Sequence, residues 1–506
     1  MKDNMTSSKK DKNISYEILR VVAMLMVVTL HYLIKGGLLS ESLVGASASE
    51  GVFWLIEAAC VCCVNVYVLI SGYFLVDSNF KIEKIIRLWG QVLFYSILVL
   101  LVLILCGVVN YKDFLNLYEL LFYFCPVTSG HYWFATTYLI FYMISPFLAK
   151  GVRSLDKKQH GIIWLLLFFI TCISKSVIPF ELVFDDKGYG ILWFIFLFVT
   201  ASYIRLYGCP AIKGKWSALL LYVVSVAGIW LFKYGTSVIV ADKGKYEYFS
   251  ETAIHYNSLF VFGASVGLFM FFGNIKAKDG LLSSFAVKIA PYTFGVYLLH
   301  VHNLLFSRWP EWFKVGDKYG LFRPVHFICV ILSIFFIGIF VDFIRSLIFS
   351  LIIKLWDFGM KIYHSKQEVF DYLVFGFLAT VVSWVAYLVA RDAFISHLFP
   401  GDDTTIALIS NLISWIVAVL FAYVTNRTFV FKSEVTEKNA VIKEFFSFIG
   451  SRVTTFLIDE GMMFVFVDIV KMNDIIAKVL VSFVVIILNY VFSKLFVFKN
   501  KMRLNK

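Results

Sequence analysis

The stretch "ILRVVAMLMVVTLHYL", residues 18–33, decides the fold. It reads as most of a helix crossing a hydrocarbon core of ~30 Å. Two ionisable side chains, Arg20 and His31, interrupt it. Their eleven-residue separation is three turns plus ~20°, so both share one helix face, with a rise of ~16 Å between them. Glu17 lies one turn before Arg20, near the same face. Arg20 is thereby expected at one membrane boundary and His31 deeper.

The same texture runs through all 506 residues, of which 60% are hydrophobic and only 16% charged. The mean hydropathy is +0.82. Soluble domains run nearer half apolar and about a quarter charged, so this composition excludes one. Fourteen apolar runs stand out, at 14–34, 51–76, 88–109, 132–149, 160–180, 189–206, 216–235, 255–273, 286–307, 324–352, 369–391, 405–427, 444–467 and 475–497. They predict an all-α polytopic membrane protein, because helices satisfy every backbone group without water. No small-residue cleavage site follows the first run, so it is expected to remain as a span.

The net charge of +12 is distributed by side. With the N-terminus cytoplasmic, inner loops such as "KGVRSLDKKQH" (150–160) are basic and outer ones such as "FPGDDT" (399–404) acidic. This is the positive-inside pattern, and it accounts for the charge without nucleic acid. An even span count returns the tail "FKNKMRLNK" (498–506) to the cytoplasm. The outer segment "NYKDFLNLYELLFYFCPVTSG" (110–130) is crowded with aromatics, as membrane boundaries are. The eight cysteines mostly sit within apolar runs, without metal or disulfide spacing, and read as small apolar packers.

A basic, polar-interrupted segment, "KLWDFGMKIYHSKQEVF" (354–370), divides the chain. The expected organisation is a ten-span domain at 1–353, a cytoplasmic link at 354–368, a four-span domain at 369–500 and a tail at 501–506. The second domain contains a repeat of 67 positions. "NLISWIVAVLFAYVTNRTFVFKS" (411–433) matches "KVLVSFVVIILNYVFSKLFVFKN" (478–500), aligning Tyr423 with Tyr490 and Arg427 with Lys494. "YLVFGFLATVVSW" (372–384) matches "FSFIGSRVTTFLI" (446–458) more loosely. Two spans per copy make the copies parallel. Arg452, Asp459 and Lys478 are its intramembrane charges, fit to pair with one another or to hold a lipid phosphate.

Ionisable groups at membrane depth are functional candidates by default. Histidine is the side chain suited to moving a proton near neutral pH. Beside Arg20 and His31, the first domain offers Glu57 and Asn65 in the second span, which ends "LISGYFL" (69–75). Lys84 and Arg87 follow in "FKIEKIIRLW" (80–89), three apart on one helix face and able to grip phosphates. His131 and Trp133 open the fourth span in "GHYWFATTYLIFYMISPFLAK" (130–150). His300 and His302 lie in "YTFGVYLLHVHNLL" (292–305).

Together, an arginine, ten residues and a histidine in the first span, then Ser-Gly-Tyr-Phe, a basic pair, "HYWF…SP" and "YTFGVYLLH" resemble the membrane acyltransferase-three family over about residues 14–352. The resemblance implies ten spans and transfer of an acyl group, usually acetyl from acetyl-CoA, to sugars of surface glycans. It makes His31 the catalytic residue and Arg20 its motif partner. The family's basic pair is usually two arginines. Lys84 with Arg87 keeps the charge and loses one bidentate fork. Residues of about 369–500, through "FGFLATVVSW", "NRTFVF" with its echo "SKLFVF", and "AKVLVSFVVIILNY", resemble the GtrA-like family, which is linked to polyprenyl-phosphate sugars.

The resulting expectation is a plasma-membrane O-acyltransferase, bacterial in kind. Lys84, Arg87 and Arg20 would hold the phosphates of cytoplasmic acetyl-CoA. Glu57, His131, Trp133 and His300 would contact the acceptor, a surface polysaccharide or its polyprenyl-linked precursor. His31 would act as general base or carry the acyl group. No metal is expected. The competing class is a transporter or flippase of lipid-linked sugars without chemistry. Against it, the first domain lacks the internal repeat common in carriers.

Overall fold

A computed structural model describes residues 2–498, apart from 115, 179, 181–184, 245–246, 276, 278–279, 392–397, 399–402 and 473. Each of the fourteen expected spans falls on a helix. Among the described residues, nine helices are long and apolar enough to cross a membrane, and three shorter apolar ones join them. Trp133–Ser154 and Lys438–Met463 supply the remaining two positions. The chain divides into two compact units, Met1–Ile348 and Phe349–Lys506.

In the first unit, α1 (Lys2–Lys35) is the hub. It packs against α2 (Ala48–Cys60), α3 (Cys63–Leu75), α12 (Leu259–Gly273), α13 (Leu281–Ile289) and α14 (Thr293–His300). Leu19, Ala23, Val28, Tyr32 and Leu33 are buried along it. α4 (Ile82–Leu105) packs on α5 (Leu117–Phe124), α6 (Trp133–Ser154) and α14. α7 (Lys157–Phe168) is followed, past a wide π turn at Phe169–Ile173, by the short α8 (Ser174–Val177). α9 (Ile191–Tyr207) lies against α3, α6 and α7, and α10 (Lys215–Lys243) pairs with α12. α11 (Glu247–Thr252), α15 (Asn303–Phe306) and α16 (Arg308–Trp312) are short connectors before the long α17 (Arg323–Ser365). Residues 354–365 of the expected link are helical within α17.

Two expected spans are broken inside the membrane. The second, read as 51–76, stops at Cys60 and restarts at Cys63. Val61 N–H bonds Glu57 O on one side of the turn, and Val66 N–H bonds Cys62 O on the other. The ninth, read as 286–307, is interrupted by a 3₁₀ turn at Ala290–Tyr292 containing Pro291, which has no N–H to give the ladder.

Close helix contacts depend on two glycines. A Cβ on Gly72 would lie 3.1 Å from the Phe198 Cα, which sets the α3–α9 crossing. One on Gly338 would lie 2.7 Å from the Val296 Cα, where α17 meets α14. Beside that crossing, the fully buried Asp342 accepts from Gln91 Nε2 (2.9 Å), Tyr95 OH (3.0 Å), Arg345 Nε (2.7 Å) and Arg345 Nη2 (2.9 Å). A buried carboxylate is tolerated when its lone pairs are met in this way.

In the second unit, α18 (Gln367–Val389) pairs with α19 (Asp403–Thr425), and α20 (Lys438–Met463) with α21 (Asp474–Phe492). The repeated sequence shows in the geometry. Asn426–Val430 and Ser493–Val497, equivalent in the repeat, are both π turns. Phe431 and Phe498, also equivalent, stack at 4.8 Å. The polar contacts are exchanged reciprocally. Tyr423 (3.2 Å) and Arg427 (2.8 Å) of the first pair bond Glu444 of the second. Tyr490 (2.8 Å) and Lys494 (2.7 Å) of the second pair bond Glu368 of the first.

Candidate active site

His31 sits within α1, among the helices it organises, and one of its ring nitrogens is engaged. His31 Nδ1 lies 2.8 Å from His300 Nε2, and His300 Nδ1 lies 2.5 Å from the carbonyl oxygen of Val296. A carbonyl only accepts, so His300 carries its proton on Nδ1. In the neutral ring, Nε2 is then a lone pair and accepts from His31 Nδ1–H. This leaves Nε2 of His31 as its unprotonated nitrogen, the arrangement a general base requires. The edge of Phe306 packs on the His31 ring at 5.0 Å, and the Trp309 indole donates to the His300 carbonyl at 3.1 Å, so both rings are held from behind.

His31 lines a small cavity of about 50 Å³ together with Met24, Val27 and Leu30 of α1, Cys63, Val64 and Tyr67 of α3, Trp133 and Phe134 of α6, Tyr256, Phe294 and Tyr297. The walls are mainly aromatic and aliphatic. Such a space excludes bulk water around the base, which strengthens every electrostatic interaction inside. Tyr67 connects it with the other end of the motif, since its hydroxyl donates to the Arg20 carbonyl at 2.6 Å. The Arg20 side chain itself pairs with Glu17 and stays partly exposed, so Arg20 and His31 do not touch.

The remaining sequence candidates divide. Trp133 lines the cavity, its ring edge-on to Tyr189 at 4.4 Å. His300 stands behind His31 instead of facing the cavity. His131 is buried between the rings of Tyr132 (4.3 Å), His302 (4.5 Å) and Phe122 (5.1 Å), with neither nitrogen hydrogen-bonded. Burial holds its imidazole down to about 4 from the ordinary 6.5, so it is neutral. Glu57 is 2% exposed and is not among the cavity residues. Lys84 and Arg87 are exposed at the start of α4, and the Lys84 ammonium lies 6.0 Å from the Tyr142 ring. Asn65 is structural: it accepts from the Trp193 indole (2.8 Å) and donates to the Tyr256 carbonyl (2.7 Å) and Ser265 (3.0 Å).

Residues 13–344 match the family described as an acyltransferase domain. The chain belongs to this family. Residues 371–498 match a second family, the GtrA/DPMS transmembrane domain. Among relatives of that region are two proteins named as cell wall teichoic acid glycosylation protein GtcA. The one from Listeria monocytogenes is 32% identical over 135 residues, covering 27% of this chain and 87% of the relative. The one from Listeria innocua is 34% identical over 133 residues, covering 26% and 86%. An uncharacterized membrane protein of Bacillus subtilis, YwcD, is 32% identical over 128 residues, covering 25% and 94%. No solved structure matches. The protein is thus a multi-pass plasma-membrane acyltransferase-family member that also carries a GtrA-like domain.

In the acyltransferase domain, sequence reading missed Cys63, Val64, Phe134, Tyr256 and Tyr297 as cavity residues. All are ordinary membrane residues, and only tertiary packing gathers them. Asp342 and Arg345 did leave a signal, two charges three apart in "FVDFIRS" (340–346). In the GtrA-like domain, Arg452 lies over the Phe448 ring at 4.7 Å. The Lys478 side chain is outside the described residues.

Proposed function

We propose that the protein O-acylates, with acetyl as the acyl group, a hydroxyl of a cell-surface polysaccharide or its polyprenyl-linked precursor, using cytoplasmic acyl-CoA. The observation that carries this is the His31–His300–Val296 chain, which presents a basic imidazole nitrogen at a water-poor cavity in an acyltransferase-family domain. His31 Nε2 removes the proton of the acceptor hydroxyl as it attacks the thioester. His300 fixes the tautomer and supports the imidazolium that forms. By the charge pattern of the sequence, Arg20, Lys84 and Arg87 face the basic side of the membrane, where they meet the phosphates of coenzyme A. The cavity is too small for a pantetheine arm, so substrate entry must part the aromatic wall of Trp133, Phe134 and Tyr256.

The GtrA-like domain supplies the lipid-linked acceptor in this reading. Support comes from its relatives, whose name concerns glycosylation of a cell-wall polymer, and from its presence in one chain with the acyltransferase domain. The test is transfer of radiolabelled acetyl from acetyl-CoA to the glycan fraction of membrane vesicles, with wild type and His31→Ala. Wild-type labelling that disappears in the variant supports the reading. Equal labelling by both removes His31 from the chemistry.

A further inference from the structure

Acyl transfer places a negative charge on the former carbonyl oxygen, and a catalyst needs donors waiting for it. His31 supplies none, because its cavity-side nitrogen is the base. A helix amino terminus opens at the same cavity, that of α6 at Trp133. It has no side-chain cap. The first N–H of α6 to bond back is that of Thr136, to the Tyr132 carbonyl. The amides of Trp133 and Phe134 precede this ladder, and both residues line the cavity. Such orphan amides carry the positive end of the helix, roughly half a charge.

A side chain points to the same place. Tyr297 is 6% exposed, lines the cavity, and its hydroxyl makes no hydrogen bond. The hydroxyl lies beside the Phe134 main chain at the start of α6. A buried phenol without a partner costs stability unless a ligand group completes it.

We infer that the Tyr297 hydroxyl and the amino terminus of α6 form the oxyanion site of the acyl-transfer reaction, an inference that rests on the acyltransferase reading above. The acceptor hydroxyl gives its proton to His31 Nε2 while its oxygen bonds to the thioester carbon. The carbonyl π pair moves onto oxygen, where the phenol and the amides donate to it. On collapse the pair returns, the carbon–sulfur bond breaks, and the thiolate of coenzyme A takes the proton from His31.

The experiment uses the full chain in dodecyl maltoside micelles, with acetyl-CoA as donor and the maltoside hydroxyls as acceptor, following release of the coenzyme A thiol. Tyr297→Phe should lower kcat by about 10²-fold, the typical effect of one oxyanion donor, with the KM for acetyl-CoA changed by less than about threefold. Because the phenylalanine variant can also perturb packing, 3,5-difluorotyrosine at position 297 is the second arm. Its ring keeps the shape and donates more strongly, so kcat should hold or rise. A Tyr297→Phe kcat within about twofold of wild type, or a large fall with difluorotyrosine at unchanged melting temperature, overturns the oxyanion assignment. His31→Ala in the same assay separates the two levels. Thiol release that survives His31→Ala, or none from the wild type, overturns the acyltransferase reading beneath it.

Discussion

The imidazoles of His31 and His300 are 2.8 Å apart across 269 residues of sequence, and the Val296 carbonyl fixes the direction of their proton. His300 is therefore a positioning residue. Its loss should free the His31 ring to turn and to adopt the wrong tautomer. His300→Leu should lower kcat by about 10- to 100-fold with little change in the KM for acyl-CoA. His300→Gln, whose amide oxygen accepts the same proton, should recover part of the rate. Equal rates for the leucine and glutamine variants would place the role of His300 in packing alone.

The exposed pair Lys84 and Arg87 should act on donor binding. Replacing both with Gln is expected to raise the KM for acyl-CoA more than it lowers kcat, since phosphate contacts hold ground state and transition state alike. The difference from wild type should shrink in high salt, because exposed charges are screened within about 10 Å at 0.1 M. An unchanged KM assigns the pair to membrane orientation.

Asp342 ties α4 to α17 deep in the unit. Asp342→Leu removes the acceptor of four hydrogen bonds and leaves the buried Arg345 guanidinium without this carboxylate. Breaking one side of a buried pair typically costs about 3–5 kcal/mol. A large drop in melting temperature in detergent is expected. The double variant Asp342→Leu with Arg345→Met should recover much of it, and a single variant as stable as wild type would contradict the account.

Much of this was legible in sequence. Apolar run lengths placed all fourteen helices, since a bilayer-length hydrophobic segment has few other outcomes. The 67-position repeat anticipated two equivalent helix pairs; that both copies end in π turns, at 426–430 and 493–497, came from the structure. The shared face of Arg20 and His31 was legible, but not the manner of their joining, which runs through the cavity residue Tyr67 to the Arg20 backbone. The break at Val61–Cys62 was hidden, because neither residue is a helix breaker and the hydropathy does not falter there. Nor does a lone histidine in an apolar span disclose its partner. His300 was expected to face substrate and instead lies behind His31, a distinction set by helix rotation that composition does not encode.

His131 gives a pH dependence. Its imidazole is neutral in the folded protein, held down to about 4 by burial, while an unfolded histidine titrates at 6.5. The unfolded chain therefore binds the proton first as pH falls. The contribution to stability is complete above pH 6.5 and is lost progressively toward pH 4. The groups facing it, Tyr123, Tyr132 and His302, include no carboxylate that would reverse the sign. The melting temperature of wild type should fall across this window, and that of His131→Phe should fall less. Parallel curves would show that other groups govern the acid limb.

The last prediction concerns the two domains. The residues assigned to chemistry, Arg20, His31, Lys84, Arg87, Tyr297 and His300, all belong to the unit Met1–Ile348, whose core clusters around α1. The GtrA-like unit has a separate core around Tyr372, Tyr423, Phe431 and Phe448 and closes its own ion pairs, Arg427 with Glu444 and Lys494 with Glu368. Each has the internal contacts to insert alone. A chain ending after Ser365, which keeps α17 whole, is expected to retain acetyl transfer to a soluble glycoside. It should lose modification of the native glycan. Supplying residues 366–506 as a second chain should restore part of that modification, and less than the intact protein gives, because severing the chain lowers the effective concentration of one domain near the other. Full native modification by the truncated chain would separate the GtrA-like domain from the acyl-transfer reaction.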